Sequence, residues 1–187
     1  MAARSTRNSQ ESKSEILKAA LDVVRRSGAQ SLTIDAVAEE SGFSKGGVLY
    51  NFPSKDALIT GMVQFLAGQF EAEVAAARQG NLSSESPTLS AMIDVTEGWL
   101  SEQRDIAQAM LATKADRPDL SEPFMGVKSR LKAAIEAELP DRGKAWAIWA
   151  SLEGLHFSEA HCVTIFSDDE RAAVFKDLRK RLTQFKD

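Results

Sequence analysis

Cysteine is nearly absent: Cys162 is the only one in 187 residues, so no disulfide can close within the chain and a reducing cytoplasm is the expected setting. Histidine is almost as scarce, and both copies, His156 and His161, share one segment with Cys162. That inventory offers no nucleophile–base arrangement, and no glycine-rich loop is built to cradle a phosphate, which argues against an enzyme. No window approaches the roughly 18 apolar residues of a membrane span. The opening MAARSTRNSQ has no apolar run behind its arginines, so it does not read as a secretory signal. Period-two alternation and internal repeats are also missing, which removes sheet and solenoid architectures. No cofactor is implied.

What remains is 43% hydrophobic and 27% charged, the balance of an ordinary globular protein with a real core. The net charge of −4 is unevenly placed. Residues 1–60 carry eight Lys and Arg against seven Asp and Glu, whereas the remaining 127 carry fifteen against twenty. This asymmetry permits a nucleic-acid-facing first third and an acidic remainder; it is equally compatible with a mixed solvated surface.

Nearly every periodic segment has helical spacing, so the chain reads as all-α with about nine helices. Residues 1–11 are polar and are expected to form a flexible tail. Ser12-Lys13-Ser14-Glu15 has the pattern of a capping box, followed by an apolar face of Ile16, Leu17, Ala20, Leu21 and Val24 that ends at Gly28. Thr33 can cap a short second helix closed by Gly42, and Ser44 a third over about Lys45 to Phe52, stopped by Pro53. A long helix over about 54–78 follows, then the loop QGNLSSESP, then helices near 88–102, 105–115, 124–138, 142–163 and 168–185. The expected organisation is a helix-turn-helix unit over 12–54 and a larger helical domain over 55–187.

The stretch SGFSKGGVLYNFPSKDAL puts two poor helix formers, Gly46 and Gly47, at the start of a short helix. At about 100° per residue, Val48, Leu49 and Phe52 fall on one side, with Gly46, Gly47 and Tyr50 opposite and Asn51 at the flank. Bare glycines would let the helix backbone approach a phosphate or a base edge, and the helix start offers unpaired N–H groups. On spacing alone the segment is either the second half of a helix-turn-helix or a mobile SKGG loop before a hydrophobic patch.

TIDAVAEESGFSKGGVLYNFPSKDALI (33–59), with SEILKAALDVVRRSGAQSL before it, resembles the N-terminal signature of tetracycline-repressor (TetR) family transcription regulators. The likeness covers about residues 12–62. It implies a homodimer on a palindromic double-stranded DNA operator, with three N-terminal helices on the DNA. It also implies a C-terminal domain that dimerises and binds a small-molecule effector. By the same likeness Thr33, Tyr50 and Lys55 match phosphate-gripping positions, and Ser44, Lys45, Gly46 and Gly47 the leading edge that reads bases. Asn51 stands where the family often has His.

Between Ala145 and Ser158 the only ionisable residues are Glu153 and His156. The helices near 142–163 and 168–185 either pair with their symmetry mates in a dimer or complete a monomer core; the dimer is the preferred reading. Glu153 and His156 have the Glu-x-x-His spacing of di-iron ligands, but no second motif accompanies them. Glu159, His161 and Cys162 equally lack a second cysteine for zinc. Glu153 and His156 read instead as core groups hydrogen-bonded to each other or to a backbone carbonyl, or as the polar members of a hydrophobic or aromatic effector pocket with Met62, Phe65, Trp99, Met110, Met125, Trp146 and Trp149. The leading function is an effector-responsive DNA-binding repressor. The alternatives are a helical ligand-binding or adaptor protein without DNA contact, and a metal-dependent bundle enzyme.

Overall fold

The computed structural model of the chain describes residues 2–102, 118–139 and 142–186. Among them are eight α-helices and no strand: α1 (Ala2–Ser27), α2 (Ile34–Ser41), α3 (Lys45–Asn51), α4 (Lys55–Gly80), α5 (Pro87–Glu102), α6 (Glu122–Glu138), α7 (Gly143–Ala160) and α8 (Asp168–Leu182). The helix expected near 105–115 lies outside the described residues. No described helix is long and apolar enough to cross a membrane.

Two compact units share α4 and part company between Ala67 and Gly68. The first contains α1, α2, α3 and the opening turns of α4 with residues 118–123; the second contains the rest of α4 with α5, α6 from Phe124 onward, α7 and α8. At the head of α4, Ser54 Oγ accepts from Ala57 N at 3.1 Å.

In the first unit, α1, α2 and α3 pack against one another. Ile16, Ala20, Val37, Val48 and Leu58 are buried at their centre. Gly28 and Gly42 end α1 and α2 with φ of 77° and 71°, a left-handed backbone that a side chain would strain. Helix α1 begins at Ala2, so Ser12-x-x-Glu15 lies within a helix rather than at its start. No glycine or proline stands between Ala2 and Ser27 to stop propagation, and a capping preference of about 1 kcal/mol does not break a helix that can simply continue.

In the second unit α5 packs on both α7 and α8. Its core includes Leu89, Ile93, Ile135, Ile148 and Phe175. The α8 capping box is present in both directions: Ser167 Oγ accepts from Glu170 N at 3.3 Å, and Glu170 Oε2 accepts from Ser167 N at 2.8 Å. The start of α5 is capped from another helix. Glu138, near the end of α6, accepts from Ser86 Oγ (2.7 Å), Thr88 Oγ1 (2.7 Å) and Thr88 N (3.1 Å), while Arg78 of α4 donates to its Oε1 at 3.1 Å. Burial alone would raise the Glu138 carboxyl, but these hydrogen bonds together hold it below its ordinary value.

Candidate nucleic-acid interface and effector site

The turn joining α2 to α3 is built from two side-chain caps. Thr33 Oγ1 accepts from Ala36 N at 3.1 Å at the head of α2, and Ser44 Oγ accepts from Gly47 N at 3.1 Å at the head of α3. Each hydroxyl spends a lone pair on its helix and keeps its O–H to donate outward. Both residues are exposed.

Helix α3 is anchored by Val48 and Phe52, which are 0% and 7% exposed and lie one turn apart. Tyr50 points the other way and is 86% exposed. Leu49 departs from the sequence expectation: it is 36% exposed and flanks Tyr50 instead of joining the core. A seven-residue helix touching α1 and α2 has a narrow buried arc, which the i and i+4 positions fill.

The two glycines are not equivalent. A Cβ on Gly46 would meet only Ser44 Oγ, at 4.0 Å, and among the described residues Gly46 is not one of the glycines with positive φ. Among the described residues, neither packing nor backbone conformation therefore calls for glycine there. A Cβ on Gly47 would lie 3.3 Å from Ser44 Oγ and 3.6 Å from Phe43 Cδ1, so a side chain there would press on the cap hydroxyl. Asn51 Nδ2 donates to Gly47 O at 2.9 Å, which commits its amide to the helix. Lys55 opens α4, exposed and without an ion pair among the described residues. Lys45 is exposed too, and its Nζ lies 2.9 and 3.0 Å from the carboxylate oxygens of Asp35. A pairing ten residues apart across a turn has no local signature in the sequence.

Of the effector candidates, Met62 (buried) and Phe65 (half-buried) belong to the first unit. Met110 lies outside the described residues. Trp99 is committed within the second unit: its Nε1 donates to Glu73 Oε2 at 2.6 Å and its ring meets Phe70 edge-on at 5.1 Å. Met125 is largely exposed. Helix α7 does bring Trp146, Trp149, Glu153 and His156 together. The two indoles meet edge-on at 6.0 Å, and Lys132 Nζ of α6 lies 5.5 Å from the Trp146 ring. Trp149 Nε1 donates to Glu153 Oε1 at 3.1 Å, and Lys128 Nζ donates to Glu153 Oε2. Glu153 therefore answers to Trp149 and Lys128 rather than to His156. Burial lowers the His156 imidazole below its ordinary value, Glu153 opposing this and Lys128 adding to it. The two lysines of α6 escaped the sequence reading.

Glu159 is buried in an ion pair with Arg171, at 2.7 Å, and Cys162 is exposed. His161 stacks on Phe157 and places Nδ1 2.8 Å from Phe157 O. Among the described residues no three His, Cys, Asp or Glu side chains gather as a metal site requires.

The profile of bacterial regulatory proteins of the tetR family matches residues 16–62, and that of the tetracyclin repressor-like C-terminal domain matches residues 86–183. No curated protein matches the chain. Among solved structures, a TetR-family member from Streptomyces coelicolor A3 (SCO1917) is 24% identical over 90% of this chain and 98% of its own, with a TM-score of 0.65. A structure from Rhodococcus sp. assigned to the TetR family is 16% identical over 94% and 100%, with a TM-score of 0.68. The multidrug binding protein EbrR, complexed with malachite green, is 24% identical over 91% and 97%, with a TM-score of 0.65. At such identities the likeness speaks for the fold alone. The two profiles, one lying on the helix-turn-helix unit and the other covering over half of the chain, establish that this protein belongs to the tetracycline-repressor (TetR) family and is a helix-turn-helix, DNA-binding transcriptional regulator.

Proposed function

We propose that the chain is a homodimeric repressor that grips a palindromic operator through α3 and is released by an aromatic or hydrophobic effector. The observation that carries the reading is the outer edge of α3. Gly46 is bare with no packing reason among the described residues, Tyr50 projects beside it, and Val48 and Phe52 hold the opposite side fast. Such an edge suits close approach to a duplex. Thr33, Ser44, Tyr50 and Lys55 would hold phosphates, Lys45 would donate to a guanine edge, and Gly46 would admit the DNA backbone. Asn51, tied to Gly47 O, would act by bracing the helix.

The dimer would use the small face of α7. Ala147, Ala150 and Gly154 are exposed there, beside Phe157. Phe175, Leu178 and Leu182 of α8 are buried within their own chain, so they complete its core and are not free to meet a partner.

For the effector, Trp146, Trp149, Glu153 and His156 offer aromatic faces with few polar groups. EbrR has been solved with malachite green and with proflavin, both aromatic dyes. Helix α4 contributes to both units, so it would carry a population shift from one to the other. Expression of the reading as a repressor means that effector lowers operator affinity.

Selection of bound sequences from a random duplex pool tests the whole reading. A two-fold-symmetric consensus is expected, together with a shift that recedes when an aromatic dye is added. Recovery of no sequence preference, with no salt-dependent retention on heparin, would instead favour a helical adaptor. Within the selected operator, Gly46→Ala should weaken binding at least about tenfold, because a methyl group there intrudes on a base or phosphate contact. Folding should not suffer, since alanine is the better helix former by up to about 1 kcal/mol.

A further inference from the structure

The exposed side of α2 carries a carboxylate where negative charge opposes DNA. Asp35 lies two residues after Thr33, and its side chain is 70% exposed. Lys45, 60% exposed, is held against it at 2.9 Å. Other cations of the first unit are paired as well, Arg25 with Asp22 and Arg26 with Glu40, but those lie on or beside α1. Among the described residues, only the Asp35–Lys45 pair joins α2 to α3 and engages the leading edge of the recognition helix.

We infer that Asp35 is an internal stand-in for a phosphate, which keeps Lys45 from binding DNA indiscriminately and thereby sets the contrast between operator and random sequence. This rests on the reading of α3 as the recognition helix. The argument is one of competing anions. On a random duplex the partner available to Lys45 is a phosphate, and phosphate and carboxylate compete for one ammonium. Lys45 then exchanges one anion for another, leaving the released carboxylate beside a negatively charged backbone. The net gain is small, since an exposed pair is weak but so is its replacement. A guanine edge carries no net charge. An ammonium has three donors, so Lys45 can keep one N–H on Asp35 and offer the others to O6 and N7. The carboxylate then orients the lysine instead of competing with the ligand. Asp35 is thus a positioning residue on operator and a competitor elsewhere.

The test compares Asp35→Asn with the unaltered protein on selected operator and scrambled duplex, by titration at several salt concentrations. Scrambled binding should tighten by about threefold or more, and its salt slope should steepen by about 0.9, as one added phosphate contact requires. Operator affinity should hold or fall, so the specificity ratio drops. Repeating the substitution in a Lys45→Ala background should leave the ratio unmoved, because the lysine through which Asp35 acts is gone. A Lys55→Ala background should preserve the effect. Equal tightening on both duplexes, or an undiminished effect without Lys45, would mean general charge repulsion and overturn the inference. Unchanged scrambled binding would overturn it too. If the parent protein selects no sequence at all, the regulator reading fails first and this inference with it. A sequence-selective parent with a silent Asp35→Asn variant removes this inference alone. Circular dichroism of each variant guards against loss of fold.

Discussion

Two glycines of α4 allow a single substitution to be made twice with opposite consequences. Gly61 and Gly68 both lie inside the helix, and neither has positive φ. A Cβ on Gly68 would meet nothing within 4 Å. A Cβ on Gly61 would sit 2.7 Å from Phe52 Cε1 and 3.2 Å from Leu17 Cδ2. Carbon atoms settle at about 3.5–4.0 Å, so the buried Phe52 ring would have to retreat by roughly 1 Å. Leu17 is buried beside it and offers little room. Overpacking of this kind costs about 1–3 kcal/mol. Alanine contributes up to about 1 kcal/mol of helix propensity in both variants. Gly68→Ala should therefore stabilise by up to about 1 kcal/mol, and Gly61→Ala should destabilise by about 1 kcal/mol. Because propensity is common to both, their difference isolates the steric cost, about 1–3 kcal/mol. In a chain of this length, melting temperatures would then differ by about 2–12 °C. Urea and thermal unfolding at one fixed protein concentration provide the measurement. Operator affinity should fall only for the variant at 61, since Phe52 backs the end of α3. Equal stability of the two variants, within about 0.5 kcal/mol, would refute the close contact between α4 and Phe52.

The Glu138 clasp should be costly to weaken: Glu138→Gln removes a charged acceptor shared by Ser86, Thr88 and Arg78 and should destabilise by about 1–3 kcal/mol in denaturant titrations. Because its folded-state pKa is depressed, the stabilisation is full above the unfolded value near 4.3 and is lost as pH falls through the lower folded value. Acid unfolding curves of the Gln variant should therefore be flatter across that range. His156 is also depressed, so its neutral form stabilises the fold above about pH 6.5, and that contribution fades as pH falls toward and through the lower folded value. His156→Gln should remove this portion of the pH dependence, as followed by melting temperature between pH 5 and 8; an unchanged profile would show that the imidazole is freely solvated.

Patterns confined to a few residues were legible before any coordinates. Thr33 and Ser44 act as caps because their hydroxyls need reach only three residues onward. Val48, Phe52 and Tyr50 sort to opposite sides of α3 by angle alone. Leu49 does not, since angle says nothing of how wide an arc the neighbouring helices cover. The true start of α1 was hidden because a capping pattern marks where a helix is able to begin, not where it must. Partnerships across large separations were hidden too. Nothing near Glu138 announces that it caps α5 some fifty residues earlier, although the absence of an acidic residue in the first turn of α5 is a weak hint. Glu153 illustrates both cases: its bond to Trp149 follows from i,i+4 spacing, whereas Lys128 comes from another helix and displaces the expected link to His156.

The hydroxyls of Thr33 and Ser44 are locked into place by the amides they cap. A side chain that folding has already confined to one rotamer has no freedom left to surrender when an anion arrives. At the proposed interface a duplex would therefore meet two hydroxyl oxygens whose positions were set in its absence, and the geometry of the turn would discriminate among backbone shapes before any base is inspected.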